Sequence, residues 1–118
     1  MRILVAEDDD INRELITEIL TSEGHEVIGV SDGQELIKTS LSYKPDLILT
    51  DIQMPNMSGD TMIAMIEEYD DLVKTPVVIM TGMGETEFKK LGISKDINVI
   101  FKPINVEKLK EIISKLAK

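Results

Sequence analysis

The chain has 118 residues, 42% of them hydrophobic and 30% charged, with no cysteine and a formal net charge of −9. This length and mix fit one compact domain over residues 1–118. They exclude disulfides, thiolate metal sites and cysteine nucleophiles, and the acidity argues against nucleic acid as a direct ligand, since a phosphate backbone needs a basic face.

Ile3 to Ala6 reads as a buried strand, and Glu7-Asp8-Asp9-Asp10 breaks it. Ile11, Leu15, Ile19 and Leu20 then recur at helical spacing, and Gly24 supplies a stop. Asp9 and Asp10 suit the positive end of that helix as caps or solvated charge. Glu26 to Val30 reads as the second strand, with Ser31-Asp32 as a helix cap. Leu36, Ile37 and Leu41 mark the second helix, and Lys44-Pro45-Asp46 turns into a third strand, Leu47 to Asp51. Ser58-Gly59 opens a helix with Met62, Met65, Ile66 and Tyr69 on one stripe. Val77 to Met80 reads as the fourth strand, ending at Thr81-Gly82, and Glu85 to Leu91 as a short, weak helix. Ile97 to Phe101 reads as the fifth strand, ending at Lys102-Pro103. Val106, Leu109, Ile112, Ile113 and Leu116 mark a final amphipathic helix.

Five strands alternating with five helices imply an α/β fold, a parallel sheet with helices on both faces and right-handed crossovers. No apolar run is long enough to span a membrane, and Met1 to Ala6 is too short for a signal-peptide core, so the expected compartment is the cytoplasm.

The third strand ends abruptly in a carboxylate, Asp51. Ligands bind beyond the carboxyl ends of strands in open α/β sheets. Strands one, three, four and five would deliver Glu7 and Asp8, then Asp51, Thr81 and Lys102, to one edge. Three carboxylates held together repel unless a cation or proton compensates. An all-oxygen set suits a hard cation such as Mg²⁺, and Lys102 adds a point charge suited to phosphate. Acid, metal and base together describe a carboxylate that accepts a phosphoryl group.

In order and spacing, four stretches resemble the receiver domain of two-component response regulators over essentially the whole chain. They are Ile3-Leu4-Val5-Ala6-Glu7-Asp8 with Asn12-Arg13, Asp51-Ile52-Gln53-Met54-Pro55 with Ser58-Gly59, Val78-Ile79-Met80-Thr81, and Phe101-Lys102-Pro103. The resemblance implies a flavodoxin-like (βα)5 three-layer sandwich, with five parallel strands in the order 2-1-3-4-5. It implies that Asp51 is the phosphoacceptor and that Thr81 is the switch hydroxyl. Lys102 pairs with the phosphate, and its bond to Pro103 is cis. It further implies Mg²⁺ held by Asp8, Asp51 and the main-chain carbonyl of Gln53, with Glu7 acting largely through water. The phosphate would come from a phosphohistidine on a histidine kinase or histidine phosphotransfer protein. Phosphorylation would then rearrange the face of helix four, strand five and helix five for a downstream protein target. On this reading the domain is a switch in a phosphorelay and not an enzyme in the turnover sense.

The chain departs from the family pattern in places. Val99 stands three positions before Lys102, where an aromatic residue is usual, and Phe101 directly precedes the lysine. Gln53 and Met83 occupy the two positions that influence how water reaches the phosphoryl group, and Met83 cannot position a water. Slow self-dephosphorylation is therefore expected. A degenerate receiver acting as a constitutive binding module is the main alternative. An aspartate-nucleophile phosphatase would need a second Asp where Gln53 stands, and no Gly-rich nucleotide loop follows the first strand. Asp8-x-Asp10-x-Asn12 mimics an EF-hand start, but Arg13 and Ile19 hold the required Gly and Glu positions. Asn56-Met57-Ser58 reads as a turn, His25 as a solvated histidine, Met62 and Met65 as core, and Lys89-Lys90 and the C-terminal lysines as solvated faces.

Overall fold

Continuous burial along the central strands decides the architecture. The structure is a computed structural model that describes residues 1–57, 61, 64, 65, 68, 75–93 and 95–117. Strands β1 (Arg2–Ala6), β2 (Glu26–Val30), β3 (Leu47–Asp51), β4 (Val77–Thr81) and β5 (Asn98–Phe101) form one parallel sheet in the order β2-β1-β3-β4-β5. Helices α1 (Asp10–Ser22) and α2 (Gly33–Tyr43) follow β1 and β2. Residues 61, 64, 65 and 68 are helical and are called α3 here; α4 (Glu85–Lys89) and α5 (Val106–Leu116) complete the set. The flavodoxin-like order expected of the family is therefore present. Of the predicted third helix, Ser58, Gly59, Met62, Ile66 and Tyr69 lie outside the described residues.

The strands β3 and β4 are buried at every position because helices cover both faces. Leu4, Ala6, Ile48, Val77 and Ile79 face one apolar cluster, with Leu36 of α2, Met65 of α3 and Phe88 of α4. Ile3, Val5, Leu47, Leu49, Val78 and Met80 face the other, with Ile16 and Leu20 of α1 and Leu109 and Ile113 of α5. The register pairs Thr50 with Ala6, Asp51 with Met80 and Thr81 with Phe101, so the polar strand ends leave the sheet side by side.

Local chemistry sets the helix ends. Asp9, Asp32 and Asn105 each accept a main-chain N–H at the start of α1, α2 and α5. Gly24 takes φ +90° just beyond α1, a conformation that strains any residue with a Cβ.

Two sequence expectations change. Of the stripe Ile11, Leu15, Ile19 and Leu20, Leu20 is buried and Ile19 packs against the core, but Ile11 is 77% exposed and Leu15 45%, and Ile16 is buried in their place. His25 is partly buried and not simply solvated. Its Nδ1 accepts a hydrogen bond from the Met1 amino group at 3.0 Å. Burial, and then the charge of that amino group, hold the imidazole below its ordinary value of 6.5.

The folded chain therefore binds fewer protons at His25 than the unfolded chain does. The stability contributed by this group is present above about pH 6.5 and is lost as pH falls through the lowered folded value. Between about pH 7.5 and about pH 5.5, the urea midpoint of the wild type should drop further than that of His25→Gln. Equal drops would show that His25 titrates alike in both states.

Candidate functional site

Four strand ends converge at the carboxyl edge of the sheet. Glu7 follows β1, and its N–H donates to Val30 O at 3.0 Å, which extends the β1–β2 ladder by one step. Asp51 closes β3, Thr81 closes β4 and Lys102 follows β5. Glu7, Asp51 and Thr81 are buried, whereas Asp8 is exposed. One carboxylate oxygen each from Glu7, Asp8 and Asp51 lies within 4.8 Å of the others.

Lys102 Nζ is the counter-charge. It donates to Asp51 Oδ2 at 2.7 Å and lies 2.6 Å from Glu7 Oε1. The contact with Glu7 is an ion pair, and Oε1 has no other partner among the described residues, so this carboxylate oxygen keeps acceptor capacity. Burial opposes the charge on Lys102, but the two carboxylates outweigh it and hold the ammonium above its ordinary value. For Glu7, burial dominates and pushes the carboxyl up, although Lys102 pulls it down. The second oxygen of Asp51, Oδ1, accepts the Gln53 N–H at 2.8 Å. Both oxygens of Asp51 are thus held.

Thr81 Oγ1 accepts the Met83 N–H at 3.0 Å, and Thr81 O accepts the Lys102 N–H at 2.7 Å. The Lys102-Pro103 peptide is cis, as the resemblance implied. The Met83 side chain is half-buried against the α2–α4 apolar cluster. Val99 packs against the same cluster. Phe101, one pleat nearer the site on the same strand face, meets Phe88 of α4 edge to face, with centroids 5.7 Å apart and planes at 87°. An aromatic contact between β5 and α4 is therefore present, displaced by two residues from Val99.

The loop after Asp51 is pinned from α2. Gly33 N–H donates to Pro55 O at 3.4 Å and Asn56 Nδ2 to Asp32 Oδ2 at 3.2 Å. A Cβ on Gly33 would lie 2.5 Å from the Met57 Cβ, so only glycine lets the two segments approach. Glu7, Asp8, Asp51, Thr81 and Lys102 are thus gathered at one edge, and Gln53 touches Asp51 through its N–H. The sequence placed Arg13 in the first matching stretch but assigned it no role; its Nη1 donates to Glu7 O at 2.8 Å. The signal was Gly29, a lone glycine inside a strand, which marks a close approach.

Comparison with known proteins agrees with this geometry. The family profile of the response regulator receiver domain matches residues 3–114. The polar-differentiation response regulator DivK of Brucella anthropi is 31% identical over 114 residues, covering 94% of this chain and 91% of that protein. The transcription factor SKN7 of Candida albicans is 35% identical over 117 residues, which is 96% of this chain but 20% of that protein. Among solved structures, the signal receiver domain of a signal transduction histidine kinase from Syntrophus aciditrophicus superposes with a TM-score of 0.83 at 27% identity, covering 98% of this chain and 88% of that one. The chain belongs to the response regulator receiver domain family of two-component signalling, and its buried acidic cluster is compatible with a metal site.

The charge balance gives a direct test. Lys102→Met leaves Glu7, fully buried, facing Asp51 without a counter-ion. Removing one partner of a buried pair costs about 3 kcal/mol. The variant should lose that much in urea unfolding with EDTA present and recover part of it when Mg²⁺ is added. A variant as stable as wild type in EDTA would show that Lys102 does not balance the cluster.

Proposed function

We propose that the chain is a phosphorylation-controlled binding switch. Asp51 accepts a phosphoryl group from a phosphohistidine on a histidine kinase or histidine phosphotransfer protein. The domain then offers a changed face of α4, β5 and α5 to a downstream protein. The observation that carries this reading is Lys102 Nζ, 2.7 Å from Asp51 Oδ2, beside carboxylates gathered within 4.8 Å.

The donor's N–P bond breaks as an O–P bond forms to an Asp51 oxygen, and the imidazole leaves with the electron pair. Gln53 N–H and Lys102 each hold one oxygen of Asp51, so the carboxylate is oriented before the donor arrives. Once the acyl phosphate forms, Lys102 shifts its pairing to the phosphoryl oxygens. An all-oxygen donor set, three carboxylates against one ammonium, and the acceptor capacity left on Glu7 Oε1 fit Mg²⁺. Asp8, Asp51, the Gln53 main-chain carbonyl and, through water, Glu7 would hold it. When bound, Mg²⁺ supplies charge neutralisation for the transferring group. The exposed Ile11, at the start of α1, offers an apolar contact to a donor protein.

Phosphorylation adds nearly two negative charges and new acceptor oxygens. Thr81 Oγ1 already accepts from Met83, and among the described hydrogen bonds none uses its own proton. Donation of that proton to a phosphoryl oxygen draws Thr81 inward. Phe101, paired with Thr81 and touching Phe88, carries the shift to α4. The result is a change in the populations of two states. No group in this scheme turns over a substrate, so the domain acts as a phosphoacceptor and not as an enzyme.

Incubation with acetyl phosphate should give a single phosphoryl adduct by intact mass. The adduct should require Mg²⁺, disappear with EDTA and be absent from Asp51→Asn. No adduct under any condition, with a phosphohistidine donor also failing, would leave a constitutive binding module.

The lifetime of the adduct makes a second test. Met83 has no polar side-chain atom with which to aim a water. The adduct should decay slowly, and Met83→Gln should decay faster by the same mass assay. A wild type that decays at the variant's rate would remove Met83 from any role in excluding water.

A further inference from the structure

The reading above leaves one well-anchored charge unused. Arg13 lies in the first turn of α1, with its side chain 23% exposed. Its Nη1 donates to Glu7 O at 2.8 Å, and its Nη2 pairs with Asp10 Oδ1. Its stem lies across Gly29 of β2, where a Cβ would stand 3.1 Å from Cδ and 3.2 Å from Cγ. A Cβ there would make the stem give by a few tenths of an ångström, and a branched side chain would press on it further. Thr17 Oγ1 donates to the Arg13 carbonyl at 2.8 Å, which ties the same turn to the next.

Glu7 O belongs to the planar peptide that joins Glu7 to Asp8. Holding that oxygen fixes the rotation of the peptide, and so the direction in which Asp8 leaves the chain. The sheet ladder ends one group earlier, at the Glu7 N–H. Beyond it, Asp9 N–H reaches back to Glu7 Oε2 at 3.4 Å, a long bond within the loop itself. Among the described residues, Arg13 is the one side chain outside residues 7–9 that bonds the loop's main chain.

We propose that Arg13 is a positioning residue for the divalent-cation site, and that Gly29 is glycine so that Arg13 can cross β2. The proposal rests on the reading of Asp8, Asp51 and Glu7 as the groups that hold Mg²⁺. Two effects of Arg13 oppose each other there. As a positive charge near three carboxylates it repels a cation, and its removal would tighten binding. As a clamp on the Glu7–Asp8 peptide it pre-sets Asp8, and its removal weakens binding. The clamp dominates, because outer contacts that orient ligands are commonly worth 10-fold or more in metal affinity, while the Arg13 charge is already offset by its pairing with Asp10.

The experiment is Mg²⁺ titration of the full chain at fixed ionic strength. Dissociation constants come from the shifts of the Asp8 and Asp9 amide resonances, and urea unfolding runs in parallel. Arg13→Ala should weaken Mg²⁺ binding about 10-fold. Gly29→Val, with Arg13 intact, should weaken it in the same direction. Arg13→Lys keeps the stem over Gly29 and one donor, so it should fall between the wild type and Arg13→Ala. It also decides the matter if Arg13→Ala does not fold. Binding that is unchanged or tighter in Arg13→Ala, or in Arg13→Lys where only that variant folds, would overturn the proposal. A wild type that binds no Mg²⁺ would overturn the functional reading and the proposal together.

Discussion

A single ammonium, Lys102 Nζ, stands between two carboxylates that the sheet has taken out of water. Everything at the carboxyl edge depends on that balance. Burial makes the isolated charges costly, and mutual attraction makes the set tolerable. The balance is incomplete, because Asp8 adds a third carboxylate at the rim. The site therefore carries excess negative charge and spare acceptor capacity on Glu7. A hard cation relieves both. On the function proposed above, the same poise suits a phosphoryl group on Asp51, whose oxygens Lys102 can grip.

The fold supplies this arrangement at no special local cost. Parallel strands need helical crossovers, and those crossovers cover both faces, so the strands can be apolar throughout. Their polar ends then fall in one row. The loop after Asp51 cannot drift, because Gly33 and Asp32 of the second crossover hold Pro55 and Asn56. Asp51 is fixed by two bonds, Glu7 by the ladder and Lys102, and Thr81 by its neighbours in the turn. Asp8 is the exposed member, which is where a ligand that exchanges with solvent needs freedom.

Much of this was legible in the sequence, for physical reasons that differ by element. β3 and β4 are short apolar runs bounded by turn residues, a pattern with few other readings. Asp32 and Gly24 announce helix ends through their own hydrogen bonding and backbone freedom. The buried side of α1 was only half legible: Leu20 was found, but Ile11 and Leu15 satisfy helical spacing as well as Ile16 does. Spacing finds a stripe but not which stripe the sheet will cover. The role of Arg13 was hidden for another reason. Its partner is a carbonyl, which every residue has, and its path depends on β2 lying beside β1. His25 likewise meets the Met1 amino group only because β1 and β2 pair. Val99 stands where the family's aromatic residue is usual, and the sequence did not show that Phe101, on the same face of β5, would meet Phe88 of α4.

The sheet also acts as a partition. The apolar clusters on its two sides share no residue among those described. Substitutions more than several ångströms apart, with no common neighbour, usually add. Changes beneath α2 and α4 should thus be nearly independent of changes beneath α1 and α5. A lineage could redraw the layer that holds Phe88, Ile93 and Val99 while the layer holding Ile16 and Leu109 stays as it was. The two layers are separate genetic modules within one small domain, and epistasis between them should concentrate at the strand ends where the chemistry sits.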